Sequence, residues 1–279
     1  MSTSEPCRFA VVVPVFNTAE RYFAACLDSI RRAAEHHGLG NVEVAVVDDA
    51  SRPQPARAYR RIIDTERSHG LTVHHHAFGR HAGIAAAREH GVRSTGNEWI
   101  VLVDSDDLIS PLTFSVLNNR LDTGDILAYT AHRKLTEDLS TTVEIRRKSR
   151  YQDLLRREAG TARDPFLHFT FLIHMHVIAR RAFEAVGGFD RRISYGDEID
   201  FHLRLTERYP GDRFRYIDEV LYLYRENSGG VCADAGHYRE LITNIERVLL
   251  RHYIRRGGTA LRCSRSGKEP DRAVRYEYA

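Results

Sequence analysis

The chain has 279 residues, 42% of them hydrophobic and 28% charged, which suits one large α/β domain or two small ones with a substantial core. A net charge of +3 is too small to argue for nucleic acid, and no apolar run approaches the roughly 20 residues of a membrane span. Cys7, Cys26, Cys232 and Cys263 lie far apart with no C-x-x-C pair, which argues against a zinc site or a disulfide framework and fits a reducing cytoplasm, and the first residues lack the basic and apolar regions of a signal peptide.

Phe9–Val13 is a short run of β-formers that predicts a buried parallel strand ending at Pro14. Thr18 is placed to cap a helix in which Tyr22, Phe23, Cys26, Leu27 and Ile30 recur at helical spacing, and Gly38 and Gly40 stop it. Residues 42–47 read as a second strand ending at Asp48-Asp49. Pro53 and Pro55 open a helix through Tyr59, Ile62 and Ile63, and residues 71–73 form a third strand. An Ala-rich helix follows over 83–92. Residues 98–103 are a fourth strand, running into Asp104-Ser105-Asp106-Asp107, and Ser110-Pro111 starts another helix. Strand and helix alternate over the first 120 or so residues, which predicts an α/β fold with a mostly parallel sheet covered by helices.

Beyond that point the pattern is less regular. Residues 125–150 suggest a strand and a polar hairpin, and 166–179 are apolar with embedded histidines. A turn at 187–190 precedes a helix over 197–209, a strand over 220–224 and an amphipathic helix over 237–253. The polar, aperiodic stretch from 257 to 279 is expected to be a flexible tail. The domain is thus expected over 1–256, with halves of about 1–125 and 126–256.

In open α/β sheets ligands sit at the carboxyl ends of strands, and here those ends carry Phe16-Asn17, Asp48-Asp49 and Asp104–Asp107. Carboxylates two apart in a turn leaving a buried strand can converge on one hard cation, Mn2+ or Mg2+, which would neutralise a departing diphosphate; the plainer alternative is a solvated acidic turn. Asp49 can accept hydrogen bonds from a base or ribose, or simply cap a turn with Ser51. Phe16 can stack on a base or pack in the core. The Gly-rich turn of a dinucleotide site and a Walker A loop are both missing. Asp197-Glu198-Ile199-Asp200 opens a helix, where acids are favoured by the macrodipole but can also serve as a general base. His74-His75-His76 reads as a surface strand. His174 and His176 share a face if they lie on a strand, either lining an acceptor pocket or buried among satisfied neighbours.

In their order and spacing these residues resemble the family 2 glycosyltransferases of GT-A fold, from about Phe9 to Arg225. The carriers are Val11-Val12-Val13-Pro14-Val15-Phe16-Asn17, Val46-Val47-Asp48-Asp49-Ala50-Ser51, Gly83 through Arg88, Leu102 through Asp107, Gly187-Gly188-Phe189-Asp190, and Asp197 through Asp200 with Arg204. The resemblance implies a nucleotide-sugar site at Pro14, Phe16, Asn17, Asp49, Arg88, Asp104 and Ser105. Phe16 would stack on the base, Asp49 would bind it, and Arg88 would sit near the nucleotide. Asp106 would ligate the metal directly, with Asp104 on the ribose or a metal-bound water. Glu198 would be the general base of an inverting transfer to an acceptor hydroxyl, with Asp197 next in line because the acidic pair is reversed from the usual order. His81 replaces a common Asn, and Asn227 stands where a His often reaches the metal.

The implied donor is a UDP- or dTDP-sugar; the acceptor, whether small molecule, peptide or saccharide, is left open. Competing readings are a sugar-phosphate nucleotidyltransferase, disfavoured by the missing Gly- and basic-rich loop after the first strand, and a catalytically inactive carbohydrate-binding protein on the same fold, disfavoured by the intact Asp104, Asp106 and Glu198.

Overall fold

The structure is a computed structural model that describes residues 8–147, 174–227, 235–255, 261–265 and 274–278. The first half follows the alternation: β1 (Phe9–Val15), α1 (Glu20–His37), β2 (Val42–Asp48), α2 (Pro53–Ser68), β3 (Thr72–Ala77), α3 (Ile84–Arg93), β4 (Trp99–Leu102), β5 (Leu108–Ile109) and α4 (Thr113–Arg120). The second half carries β6 (Leu127–Leu135), β7 (Thr142–Arg146), β8 (His176–Ala179), α5 (Arg180–Ala185), α6 (Asp197–Arg208), β9 (Phe214–Arg225) and α7 (Ala235–Arg255). The apolar stretch expected over 166–179 lies outside the described residues up to residue 173.

Nine of these strands make one sheet in the order β3-β2-β1-β4-β8-β6-β9-β5, with β7 also paired antiparallel to β6. β1, β2, β3 and β4 are mutually parallel, so their carboxyl ends share one edge. β8 runs antiparallel to both β4 and β6, and β9 returns parallel to β6. All seven residues of β1 are buried, as a strand covered on both faces requires. The main core joins Phe9, Phe23, Tyr59, Trp99 and Phe114 to Phe183, Phe201 and Phe214, so both halves share it. α6 and α7 meet through a second cluster of Ile193, Ile199, Leu203, Val248 and Leu249.

Several local expectations are corrected. β1 runs through Pro14 to Val15: its pairing with β4 ends at Val12, so Pro14 lies past that ladder and stands opposite Val47 of β2. Thr18 does not cap α1. The helix starts at Glu20 after Ala19, while the Thr18 hydroxyl shares a hydrogen bond with the Ser105 hydroxyl (2.7 Å) and its carbonyl accepts one from the Tyr59 hydroxyl (2.6 Å). The C-terminal stretch contains a small sheet of its own, β10 (Leu261–Arg265) paired antiparallel with β11 (Val274–Tyr278). Its alternating Val274, Tyr276 and Tyr278 are a period-2 signal too short to stand out in a charged tail. No described helix is long and apolar enough to cross a membrane.

α3 lies unusually close to β1. A Cβ on Gly91 would come within 2.5 Å of Val12 Cγ1, so only glycine allows this approach. The close contact fixes α3 over the sheet and with it the neighbouring Arg88.

Candidate active site

The turns after β1 and β2 are stitched together. The Asn17 N–H donates to Ser51 Oγ (2.9 Å), Asn17 Oδ1 accepts from the Arg52 N–H (2.9 Å), and Asp48 Oδ1 accepts from the Ser51 N–H (2.8 Å). Asn17 sits at φ 53, in the left-handed region that asparagine tolerates. Asp49 reaches across to the start of α3, where its carboxylate accepts from the N–H groups of Ala82 (2.7 Å) and Gly83 (2.8 Å) and lies 2.9 Å from His81 Nδ1. The turn partner of Ser51 is thus Asp48, and Asp49 instead fixes the 81–83 loop. Phe16 is 45% exposed and stacks on His81 with ring centroids 4.3 Å apart, so the core-packing alternative for Phe16 does not hold.

Arg88 is buried at the centre. Its Nη1 donates to both oxygens of Asp197 (3.1 Å each) and to Glu198 Oε2 (3.0 Å), and its Nη2 donates to Asp104 Oδ1 (3.0 Å). One guanidinium therefore ties the acidic turn after β4 to the first turn of α6. The Asp197 side chain is 1% exposed, whereas that of Glu198 is 32% exposed and meets solvent. Asp200 turns away, bonded to Arg204 Nε (2.8 Å) and His252 Nε2 (3.0 Å). The three acids of α6 thus have separate roles, as their angular spacing on a helix requires.

The other side of the acidic turn rests on β9. Asp107 is buried, and its carboxylate accepts from the Tyr222 hydroxyl (2.7 Å) and the Arg225 N–H (2.7 Å). Arg225 Nε donates to the Asp106 carbonyl (2.9 Å), and Asn227 donates its amide to Asp106 Oδ2 (3.2 Å). The position of the missing histidine is therefore still in contact with the acidic turn. Ser105 is buried against Thr18, and Pro14 lies in the ladder directly behind these turns.

His174 stacks on Tyr222 with an interplanar angle of 6° and centroids 4.6 Å apart. One donor atom each from Asp104, Asp107 and His174 lies within 4.8 Å of the others. Asp106 stands outside this trio. Asp107 and His174 were not singled out as ligands in the sequence, although both sit within motifs that were read: the last residue of D-S-D-D and the first of His174-Met175-His176. Two carboxylates and an imidazole are a donor set suited to a divalent cation, with the nitrogen favouring Mn2+ over Mg2+.

Electrostatics agree with that fit. Burial, then repulsion from Asp106 and Asp104, pushes the Asp107 carboxyl well above its ordinary range, and burial with Asp104 nearby raises Asp106 too. Burial holds His174 down to about 3, so its imidazole is neutral and has a lone pair to offer. In the acid pair, burial drives the Asp197 carboxyl above its ordinary range against the pull of Arg88. Burial alone would raise Glu198, but Arg88 and a hydrogen bond from Asp197 hold it below its usual value. The two acids are thus pushed apart, the buried Asp197 upward and the solvent-facing Glu198 downward.

The model of glycosyl transferase family 2 matches residues 10–187. The chain is 25% identical over 224 residues to an uncharacterized glycosyltransferase, EpsJ of Bacillus subtilis, covering 78% of this chain and 61% of that relative, so it spans less than two thirds of the relative's length. It is 21% identical over 252 residues to an Escherichia coli chondroitin synthase, covering 88% of this chain and 33% of that protein. Among solved structures, S. aureus TarS in complex with UDP-GlcNAc superposes with a TM-score of 0.60 at 16% identity, over 88% of this chain and 73% of that one. A Pyrobaculum calidifontis mannosyltransferase with GDP-Man and Mn2+ also gives 0.60, at 19% identity over 88% of this chain and 69% of that one. The fold is GT-A, as the resemblance implied. With more than half its length matched by the family's model, on a sheet whose acidic strand ends meet at one edge, the chain belongs to glycosyl transferase family 2.

Proposed function

We propose that the protein transfers a sugar from a nucleotide-diphospho-sugar to an acceptor hydroxyl, with inversion at the anomeric carbon. The observation that carries this reading is the single guanidinium of Arg88 bonded both to Asp104 of the acidic turn and to Glu198 of α6. It keeps the diphosphate end of the site and the base within one side chain's span. The acceptor oxygen forms a bond to the anomeric carbon as the bond from that carbon to the diphosphate oxygen breaks, and the hydroxyl proton passes to Glu198. A solvent-facing carboxylate suits that step better than the buried Asp197. A bound Mn2+ or Mg2+, held by Asp104 with Asp106 or with Asp107 and His174, supplies charge neutralisation for the leaving diphosphate. Phe16 and His81 offer an aromatic surface for the base of a UDP- or dTDP-linked donor; related structures contain UDP-GlcNAc and GDP-Man. Widely spaced cysteines and a nucleotide-linked donor support a cytoplasmic reaction.

The test is calorimetry with UDP, dTDP and GDP, with and without Mn2+, followed by assay of nucleoside diphosphate release from the matching sugars. Cation-dependent binding of one nucleotide and release of the same nucleotide from its sugar donor are expected. Absence of nucleotide binding under every condition overturns the reading.

A further inference from the structure

Beside the candidate site, and separate from it, runs a second cleft of about 1550 Å³. Its walls are the 77–82 loop, α3, the 187–192 turn, α6 and α7. None of Asp104, Asp106, Asp107, Asp197 or Glu198 lines it. The two sites share supports: Ala82, in the loop held by Asp49, forms part of the rim, and Asp200 in the wall lies two residues from Glu198. Small-ligand pockets run to about 300–1,000 Å³, so this cleft has room for a longer molecule.

Its chemistry is one-sided. Seven arginines line it against three carboxylates, Glu89, Asp190 and Asp200, an excess of positive charge larger than the +3 of the whole chain. The carboxylates are already engaged. Glu89 meets Arg93 (2.5 Å) and accepts from the Phe189 N–H (2.7 Å). Asp190 takes Arg192 (2.9 Å) and Arg251 (3.4 Å), and Asp200 takes Arg204 (2.8 Å). Arg80 and Arg191 are exposed on the cleft and have no partner among the described residues. Like charges gathered in one concave surface repel one another, and guanidinium forks are suited to phosphate and carboxylate groups.

We propose that this cleft binds an extended anionic chain, one carrying phosphate or carboxylate groups along its length, with Arg80 and Arg191 as its free contacts. Naming that chain as the acceptor of the transfer rests on the proposed function; its binding does not.

The experiment is calorimetry on the full chain in chelator, with inorganic tripolyphosphate as the phosphate probe, a hyaluronan hexasaccharide as the carboxylate probe and maltohexaose as the neutral one. The variant is Arg80→Glu with Arg191→Glu, two exposed positions, checked for folding by its melting temperature. At least one anionic probe should bind, more weakly at higher salt and at least tenfold more weakly to the variant, while maltohexaose does not bind. Which probe wins identifies the anionic group. Equal binding of maltohexaose, equal binding by the variant, or no binding of either anion overturns the proposal. UDP binding with Mn2+ is measured on both proteins: its absence in the wild type would count against the donor reading and leave the cleft untouched.

Discussion

Arg88 Nη1 stands 3.0 Å from Glu198 Oε2, joining residues 110 positions apart in the chain. The charged guanidinium favours the ionised form of Glu198, which meets solvent where Asp197 is buried. Glu198→Gln preserves the shape and removes the proton acceptor. It should fold and bind nucleotide nearly as well as the wild type, and lose about 10²–10⁴-fold in transfer rate. Asp197 is buried away from solvent, so Asp197→Asn should cost less in transfer rate. Turnover at saturating donor, with melting temperatures for both variants, checks this; Glu198→Gln retaining more than about a tenth of wild-type turnover rules out the base assignment.

Two donor sets compete for the cation, sharing Asp104. If Asp106 is the ligand, Asp106→Asn should weaken Mn2+ and nucleotide together, and His174→Ala should do little. If the trio in the structure is correct, His174→Ala should have the larger effect. Titration of Mn2+ into each variant in the presence of the nucleotide decides, and unchanged Mn2+ affinity in both variants removes both sets.

Phe16 is exposed and stacked on His81 rather than packed in the core. Phe16→Ala should therefore leave the melting temperature almost unchanged while weakening the nucleotide by about 1–3 kcal/mol, the usual loss for a base–aromatic stack. A large drop in stability with unchanged nucleotide affinity would contradict the assigned role.

Gly91→Ala tests how closely α3 must approach β1. The added methyl meets Val12 and, at 3.3 Å, Val47. Overpacking of this kind costs about 1–3 kcal/mol, and it should also displace Arg88 one turn away on the same helix. Denaturant unfolding reads the first effect and turnover the second; wild-type values for both would show that the helix can move aside freely.

Asp190 provides a pH test away from the metal site. A hydrogen bond from Arg192 first, opposed by partial burial, holds its carboxyl at about 2 against an ordinary 3.8. A depressed carboxyl contributes stability above about pH 4 and loses it as pH falls toward 2. The contribution is about 1 kcal/mol once the exposure of Arg192 is allowed for. Asp190→Asn should melt below the wild type at pH 5, and the gap should narrow as pH falls to 2. A gap that does not change with pH assigns the effect to the turn's shape.

Sequence alone determined the layout. Hydrophobic period separates strands from helices, and parallel strands carry the residues after them to one edge, so Phe16, Asp49 and the turn at Asp104 were legible as neighbours. Asp197 and Glu198 were legible as candidates because acids opening a helix have only two common uses. Only the tertiary structure decided which groups touch. Arg88 lies between Asp104, Asp197 and Glu198, Asp107 is supported by β9, and His174 lies against Tyr222. Thr18, a good cap by type, bonds Ser105 instead, and Asp49 binds the 81–83 loop rather than its own turn. The physical reason is range. Periodicity records which face of a local segment is buried, whereas these contacts join residues tens to more than a hundred positions apart, and nothing local encodes which buried polar group will satisfy which.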